Sequence, residues 1–237
     1  MYLVGHAIVG FLLAYGISRK FKVGGISFAL VMLLASLPDI DILFQSADIT
    51  AHKTYTHSLI LSLIVVPAVI FAIARWRRVS SGAAFIYSLA YIQHIAIGDI
   101  LVGATNILYP FGEVMVGTGI GYGTVAHQTI EFLLLAFAAV IVLGKAFGRQ
   151  LKDATLFRFN VTDKVAYALF AAALVISFAY LLYGVKVLPR LFIETDLELA
   201  LFVLIHLSAI ALLSFLLLVA RQHTVSQARQ TGPGTRD

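Results

Sequence analysis

Long runs of apolar residues alternate with short polar segments along most of the chain. Each run is close to the ~20 residues that an α-helix needs to cross ~30 Å of hydrocarbon. Helices satisfy their own backbone hydrogen bonds, which lipid cannot do for them. The pattern therefore predicts an all-α, polytopic transmembrane helix bundle of about seven spans. The predicted spans are residues 3–18, 26–44, 58–74, 82–103, 125–144, 165–184 and 197–220.

Composition supports a bilayer environment. The 237 residues are 60% hydrophobic and 12% charged, and the mean hydropathy is +0.95. A typical soluble domain has roughly 25% charged residues. The absence of cysteine excludes disulfides and thiolate chemistry. No basic segment precedes the first run and no clear small-residue cleavage site follows it, so we expect a retained span and not a signal peptide.

The distribution of Lys and Arg predicts the orientation. If the spans alternate, 14 of these residues fall on one side of the membrane and 3 on the other. Because basic residues accumulate on the cytoplasmic side, we expect the N-terminus outside and the C-terminus in the cytoplasm of a multi-pass plasma or inner membrane protein. The formal charge of +5 then reflects topology and contact with anionic membrane lipids, and no nucleic-acid partner is predicted.

The same pattern suggests a division of the chain. Residues 1–144 form a five-span core, 145–164 a basic cytoplasmic connection, 165–220 an additional helix pair, and 221–237 a disordered cytoplasmic tail. The sequence carries no signal for the oligomeric state.

Several acidic and imidazole side chains interrupt the apolar runs near their ends. Such groups are costly in lipid and are rare there unless they pair, bind an ion or face water. The orientation derived from Lys and Arg places all of them on the outer side, so we expect them to converge. They are His6, Asp39, Asp41, His52, His57, His94 and Asp99.

The Pro38 segment carries two carboxylates, Asp39 and Asp41, which would point to different faces of an unbroken helix. A break at Pro38 would let both reach one ion. The alternative is that the helix ends there and both aspartates lie in water or headgroups. His52 and His57 are five residues apart, a spacing that suits a loop, with Thr56 and Ser58 available as hydrogen-bond partners or a cap.

His94 and Asp99 lie within a strongly apolar run. Five residues correspond to about 140° around a regular helix, so the two share a face only if the helix is distorted. A bulge near Gly98 would provide that distortion. The alternative is an Asp99 that hydrogen-bonds a neighbouring helix.

Two further features lie beyond residue 112. His127 and Glu131 form an i, i+4 pair that fits either a ligand with its orienting carboxylate or an ordinary intrahelical hydrogen bond. With Asp41, they are the candidate catalytic groups, whereas His206 suits packing. The glycine-rich run at 117–123 lacks a phosphate-binding motif and is interpreted as a flexible outer loop and candidate lid.

The order of these motifs resembles a known family. His6 with Gly10, the LPDID and THS segments, and a late His and Asp followed by Pro-Phe are similar to membrane-bound metal-dependent hydrolases, one bacterial member of which is described as a LexA-binding inner-membrane protein. The similarity covers residues 1–112. In that family the late His and Asp are usually four residues apart, whereas here they are five. The resemblance implies a metal site carried by His6, Asp39, Asp41, His52, His57, His94 and Asp99.

Imidazole and carboxylate groups without thiolates suit Zn²⁺, with Mn²⁺ or Fe²⁺ as alternatives, and their number allows one or two ions. The functional hypothesis is hydrolysis of a lipid ester or phosphoester at the outer membrane face, with Asp41 as ligand or base. An ion- or proton-coupled transporter and a non-catalytic structural membrane protein remain open alternatives.

Overall fold

The computed structural model describes residues 1–39, 41, 55–147, 172, 197–198 and 200–212. The described part is mostly helical. Two π-helical segments, π1 and π2, interrupt it, and a short antiparallel pair of strands follows π2. In chain order the elements are α1 (Leu3–Phe21), α2 (Phe28–Ser36), π1 (Leu61–Val65), α3 (Val66–Trp76), α4 (Ser81–Gln93), π2 (His94–Asp99), β1 (Thr105–Asn106), β2 (Met115–Val116) and α5 (Val125–Phe147).

Helix α1 lies at the centre of the bundle and packs against α2, α4 and α5. Small residues make this close packing possible. A Cβ atom at Gly10 would lie 2.6 Å from the Cβ of Ala35 in α2, so only glycine permits this approach of the two helices. The amide of Gln93 also donates to the carbonyl of His6 at 3.0 Å, which links α1 to the end of α4.

The distortion expected near Gly98 is confirmed. Residues His94–Asp99 form π2, which continues directly from α4. Because a π-helix has i to i+5 hydrogen bonds, residues five apart lie nearly above one another. His94 and Asp99 are therefore on the same face, and both are buried.

The structure does not support the prediction of seven spans. Within the described residues, the one helix that is long and apolar enough to cross a membrane is Val125–Gly144. Three other apolar helices are shorter: Phe28–Asp39, Leu61–Trp76 and Ala200–Leu212. Pro38 explains the early end of α2, because residues 37–39 form only a 3₁₀ turn. The predicted span 165–184 falls outside the described residues except for position 172, as do 213–220 of the last one.

The region after π2 is also different from the prediction. The predicted span 82–103 ends near residue 101. Residues 105–116, to which the sequence pattern assigned no element, form a β-hairpin in which Thr105 pairs with Val116. The side chain of Asn106 stabilises its turn by accepting from the backbone N–H of Val114 at 3.1 Å. The sequence pattern does not reveal this short hairpin, because the apolar run before it has helical periodicity.

The 117–123 segment, interpreted from the sequence as a flexible outer loop, makes hydrogen bonds to the end of the preceding helix. The N–H of Thr118 donates to the carbonyl of Ile100 at 2.9 Å, and the N–H of Gly103 donates to Ile120 at 2.9 Å. The Thr118 hydroxyl donates to Leu101 at 2.8 Å. These bonds fasten the segment to the end of the helix that carries His94 and Asp99.

Candidate metal centre

Four polar side chains from three separate parts of the chain converge beside α1. Asp39 follows α2 in the 3₁₀ turn, His57 lies in the loop before π1, and His94 and Asp99 are the first and last residues of π2. The two imidazoles are fully buried, and the carboxylates are 2% and 10% exposed for Asp99 and Asp39. Burial of so many ionisable groups is favourable only if they pair or hold an ion.

The distances within this cluster fit a metal ion. The Nε2 atoms of His57 and His94 are 3.2 Å apart. Asp39 Oδ1 lies 3.4 Å from the first and 3.3 Å from the second, and Asp99 Oδ2 lies 3.5 and 3.8 Å from them. A tetrahedral zinc ion with bonds of 2.0–2.1 Å would separate its ligand atoms by about 3.4 Å. These five distances are therefore compatible with ligand atoms around one metal ion.

Both imidazoles are oriented by a partner on the ring nitrogen that faces away from the cluster. His94 Nδ1–H donates to the carbonyl of Ala35 at 2.7 Å. His57 Nδ1 lies 2.9 Å from the Thr56 hydroxyl, which in turn donates to Asp41 at 2.6 Å. Each ring thus directs the lone pair of Nε2 into the cluster, as ligating histidines do when a second partner fixes their tautomer.

Asp41 does not share an ion position with Asp39, although the break at Pro38 was expected to bring both carboxylates to one point. Its Oδ2 lies 3.4 Å from Nδ1 of His57, on the opposite side of the ring from Asp39. Asp41 is therefore placed to orient His57.

His6 forms the rim of the cluster. Its ring stacks on that of His94 with centroids 3.5 Å apart, and its Nε2 is 3.9 Å from Asp39 Oδ2. Among the described residues, neither ring nitrogen has a hydrogen-bond partner. A Cβ at Gly98 would clash with this ring. Ligand atoms of His6, Asp39 and His94 all lie within 4.8 Å, as do those of His57, His94 and Asp99.

The charge distribution favours a cation at this position. Burial alone would lower the pKa of His57, but hydrogen bonds to Asp39 and Asp41 outweigh burial and raise the pKa to about 9. The carboxylates thus stabilise a proton on this ring. A divalent cation at the same position would meet the same negative surroundings, and it would displace that proton on binding.

Comparison with known proteins identifies the chain at family level. Residues 1–188 match the family described as YdjM inner membrane protein. The chain belongs to that family. No curated protein and no solved structure matches it. The family description supports a location in the inner membrane, in agreement with the hydropathy of the sequence.

In this YdjM family member, His127 and Glu131 are buried but lie apart from the cluster. The N–H of Gly123 donates to His127 Nδ1 at 2.9 Å, so Nε2 carries the proton and donates to Glu131 at 2.9 Å. Glu131 also accepts from the N–H of Tyr2. A Cβ at Gly5 would lie 2.7 Å from Glu131, whereas the next residue, His6, faces Gly98. The expected intrahelical hydrogen bond is present.

Two other predicted residues need separate comment. His52 lies outside the described residues. His206 is buried, its Nδ1–H donates to the carbonyl of Phe202 at 2.8 Å, and its ring packs against that of Phe202, which agrees with a packing role.

Sequence reasoning missed two groups that position the cluster. These are the carbonyl of Ala35 and Tyr91, whose hydroxyl donates to the carbonyl of Thr56 at 3.0 Å. A carbonyl carries no sequence signal. Tyr91, however, precedes His94 by three residues, which is about one helical turn. A tyrosine hydroxyl that close to a candidate ligand is a sequence signal that could have identified it.

Proposed function

We propose that this YdjM family member is a membrane-bound, metal-dependent hydrolase that acts on a lipid ester or phosphoester at the outer membrane face. The observation that carries the proposal is the convergence of two imidazole and two carboxylate ligand atoms at 3.2–3.8 Å. Oxygen and nitrogen ligands in a tetrahedral arrangement favour Zn²⁺, and Mn²⁺ or Fe²⁺ would also accept them.

In this proposal the four converging groups are the metal ligands: Asp39, His57, His94 and Asp99. His6 and the second oxygen of Asp39 offer a position for a second ion, since they are only 3.9 Å apart. When bound, a divalent ion supplies a Lewis acid and lowers the pKa of water toward neutrality. The protein's own contribution is to fix the ligands, exclude bulk water and accept a proton.

Asp41 is the proposed proton acceptor nearest to the cluster. It is 6% exposed, and its hydrogen bond from Thr56 connects it to His57. His127 and Glu131 are proposed as a second acceptor pair. They lie beside Gly5 and Tyr2, so water would have to carry a proton between this pair and the cluster.

A structural metal site is a second candidate, and one observation favours it. Four protein ligands occupy all the coordination positions of a tetrahedral ion, which is typical of structural zinc. A catalytic ion keeps one coordination position for water. Expansion to five ligands, or an octahedral ion such as Mn²⁺, would provide that position. Hydrolysis therefore requires the cluster to accept a fifth ligand.

The proposal includes a multi-pass arrangement with the N-terminus outside, the C-terminus in the cytoplasm and membrane lipids as partners. The basic residues support this orientation. Arg75, Arg77 and Arg78 lie at the C-terminal end of α3, whereas His57 precedes the start of the same helical segment. The cluster and the basic residues are therefore at opposite ends of this segment, as the positive-inside rule requires of an outer site.

The first test is metal content, measured by elemental mass spectrometry on detergent-purified protein. Wild type should carry one or two equivalents of zinc, manganese or iron, and Asp39→Ala with His57→Ala should carry none. His206→Gln is the matched control, because it alters a buried histidine outside the cluster and should keep the metal. Metal-free wild type, even after reconstitution with each ion, would contradict the proposal.

The second test is turnover. Wild type and Asp39→Ala are reconstituted in vesicles of phosphatidylethanolamine and phosphatidylglycerol with added zinc or manganese, and lipid products are measured by mass spectrometry. Products from wild type alone would support hydrolysis. Equal amounts from both proteins would contradict it, and bound metal without products would favour the structural site.

A further inference from the structure

The β-hairpin at 105–116 exposes large apolar side chains where turns are usually polar. Phe111 is 80% exposed and Met115 63%, and Leu108 and Val114 are also exposed. No Lys or Arg occurs between residues 79 and 144. The turn carries one exposed carboxylate, Glu113, and no cation, so it does not suit binding of acidic headgroups through charge. Its large apolar side chains suit insertion at the membrane interface, where Glu113 can stay at headgroup level.

The hairpin is fastened to the candidate metal centre. The N–H of Leu59, two residues after His57, donates to the carbonyl of Ile107 at 3.0 Å. Tyr109 packs edge-to-face on Tyr55, with ring centroids 4.7 Å apart. The depth of the hairpin in the membrane therefore sets the depth of the cluster.

The same hairpin continues an apolar surface on the neighbouring helix. Beyond Leu59, the segment Leu61–Trp76 exposes a series of aliphatic side chains that face outward: Leu63, Ile64, Val65, Val69 and Ile73. In an inner membrane protein such a surface contacts acyl chains. The hairpin lies at one end of this surface.

The opposite end of that helical segment carries an interfacial signature of its own. Trp76 is 77% exposed, and the guanidinium of Arg77 lies 5.7 Å from its ring centroid. Sixteen residues of helix span roughly 24 Å, which approaches the ~30 Å of the hydrocarbon core. Aromatic residues mark both interfaces of membrane proteins, so Trp76 indicates one interface and the hairpin the other.

We propose that the 105–116 hairpin is a lipid anchor that inserts Phe111 and its neighbours into the membrane interface opposite Trp76 and holds the His/Asp cluster at headgroup depth. Ester and phosphoester bonds of phospholipids lie at this depth. The inference deepens the proposed function by naming membrane phospholipid as the substrate class, but insertion itself requires no reaction and no bound metal.

Fluorescence in vesicles tests the anchor. Trp76 is the only tryptophan, so Trp76→Phe with Phe111→Trp places a single reporter in the hairpin, and Trp76→Phe with Met115→Trp gives an independent second one. The proteins are reconstituted in phosphatidylcholine and phosphatidylglycerol vesicles that contain lipids brominated either near the headgroup or near the acyl-chain end. Wild-type Trp76 is the interfacial reference, and free N-acetyltryptophanamide is the water reference.

We expect both hairpin reporters to emit at shorter wavelength than the water reference and to be quenched more by shallow than by deep bromines. Emission like that of the water reference, with quenching by aqueous acrylamide and by no brominated lipid, would overturn the anchor. Strongest quenching by deep bromines would overturn the interfacial depth. Failure of the hydrolase proposal would leave these spectra unchanged, so the two failures are distinguishable.

Discussion

At the scale of single residues, glycine at position 98 determines whether His6 reaches the cluster. The imidazole of His6 occupies the volume that a side chain at 98 would need, and it stacks on His94 as a result. A glycine in the interior of a helix usually lowers stability by about 1 kcal/mol relative to alanine. Close packing against His6 accounts for its presence here.

Gly98→Ala should therefore destabilise the protein, by ~1–3 kcal/mol if the helix must shift to relieve the clash. Thermal denaturation in detergent would measure the loss. The double variant with His6→Ala should recover stability, because it removes the ring that clashes. Gly16→Ala is the matched control, since nothing lies within 4 Å of the added Cβ in the same bundle, and it should be neutral or slightly stabilising. An equal loss in both glycine variants would contradict the packing argument.

Asp41 gives a second prediction at this scale, because it contacts the ring nitrogen of His57 that faces away from the cluster. Asp41→Asn should weaken metal binding roughly 10–100-fold without abolishing it, as expected for a group that orients a ligand. Asp39→Asn, by contrast, should remove binding. Competition with a chelator of known affinity would measure both. Identical loss in the two variants would make Asp41 a direct ligand.

At the scale of elements, π2 accounts for the spacing of His94 and Asp99. A π-bulge is a helix with one additional residue in one turn. Deleting Ala96, which is exposed, should restore a regular helix in which the two ligands are four apart and still share a face. Elemental analysis should then find the metal retained. Deleting Phe85, which is also exposed but lies in regular α4, should rotate the ligands by about 100° and abolish binding. Metal loss in both deletion proteins would contradict this account.

Whether an element could be predicted depends on whether its sequence signal lies within one segment of the chain. Helices α1 and α5 could be predicted because apolar periodicity acts within one segment. The distortion at Gly98 could be predicted from the five-residue spacing of His94 and Asp99. Because a buried carboxylate needs a partner, the helix had to bring the two onto one face. The hairpin at 105–116 was missed because its two-residue strands depend on long-range bonds such as that from Leu59. The end of α2 at Pro38 was one of the two alternatives that the sequence left open, whereas the side of His57 on which Asp41 lies depends on long-range packing that the sequence pattern does not show.

At the scale of the whole molecule, the cluster joins segments that are far apart in sequence. Asp39, His57 and the π2 ligands belong to three separate segments, and His6 of central α1 lies beside the cluster. A ligand that binds only the folded state stabilises it by RT ln(1 + [L]/Kd), about 4 kcal/mol at a thousandfold excess over Kd. An ion held here would therefore stabilise the packing of the bundle, whether or not it also takes part in a reaction.

Removal of the ion should accordingly lower the melting temperature of wild type, by on the order of 10 °C for that free energy. Chelator-treated and zinc-loaded protein would be compared by thermal denaturation in the same detergent. His57→Ala should melt at one temperature with or without chelator, since it lacks a ligand, whereas His206→Gln should respond as wild type does. Because buried carboxylates without a cation repel one another, the treated wild type and His57→Ala should both be less stable than the loaded protein. A wild-type melting temperature that changes with neither zinc nor chelator would show that the cluster holds no ion that stabilises the fold.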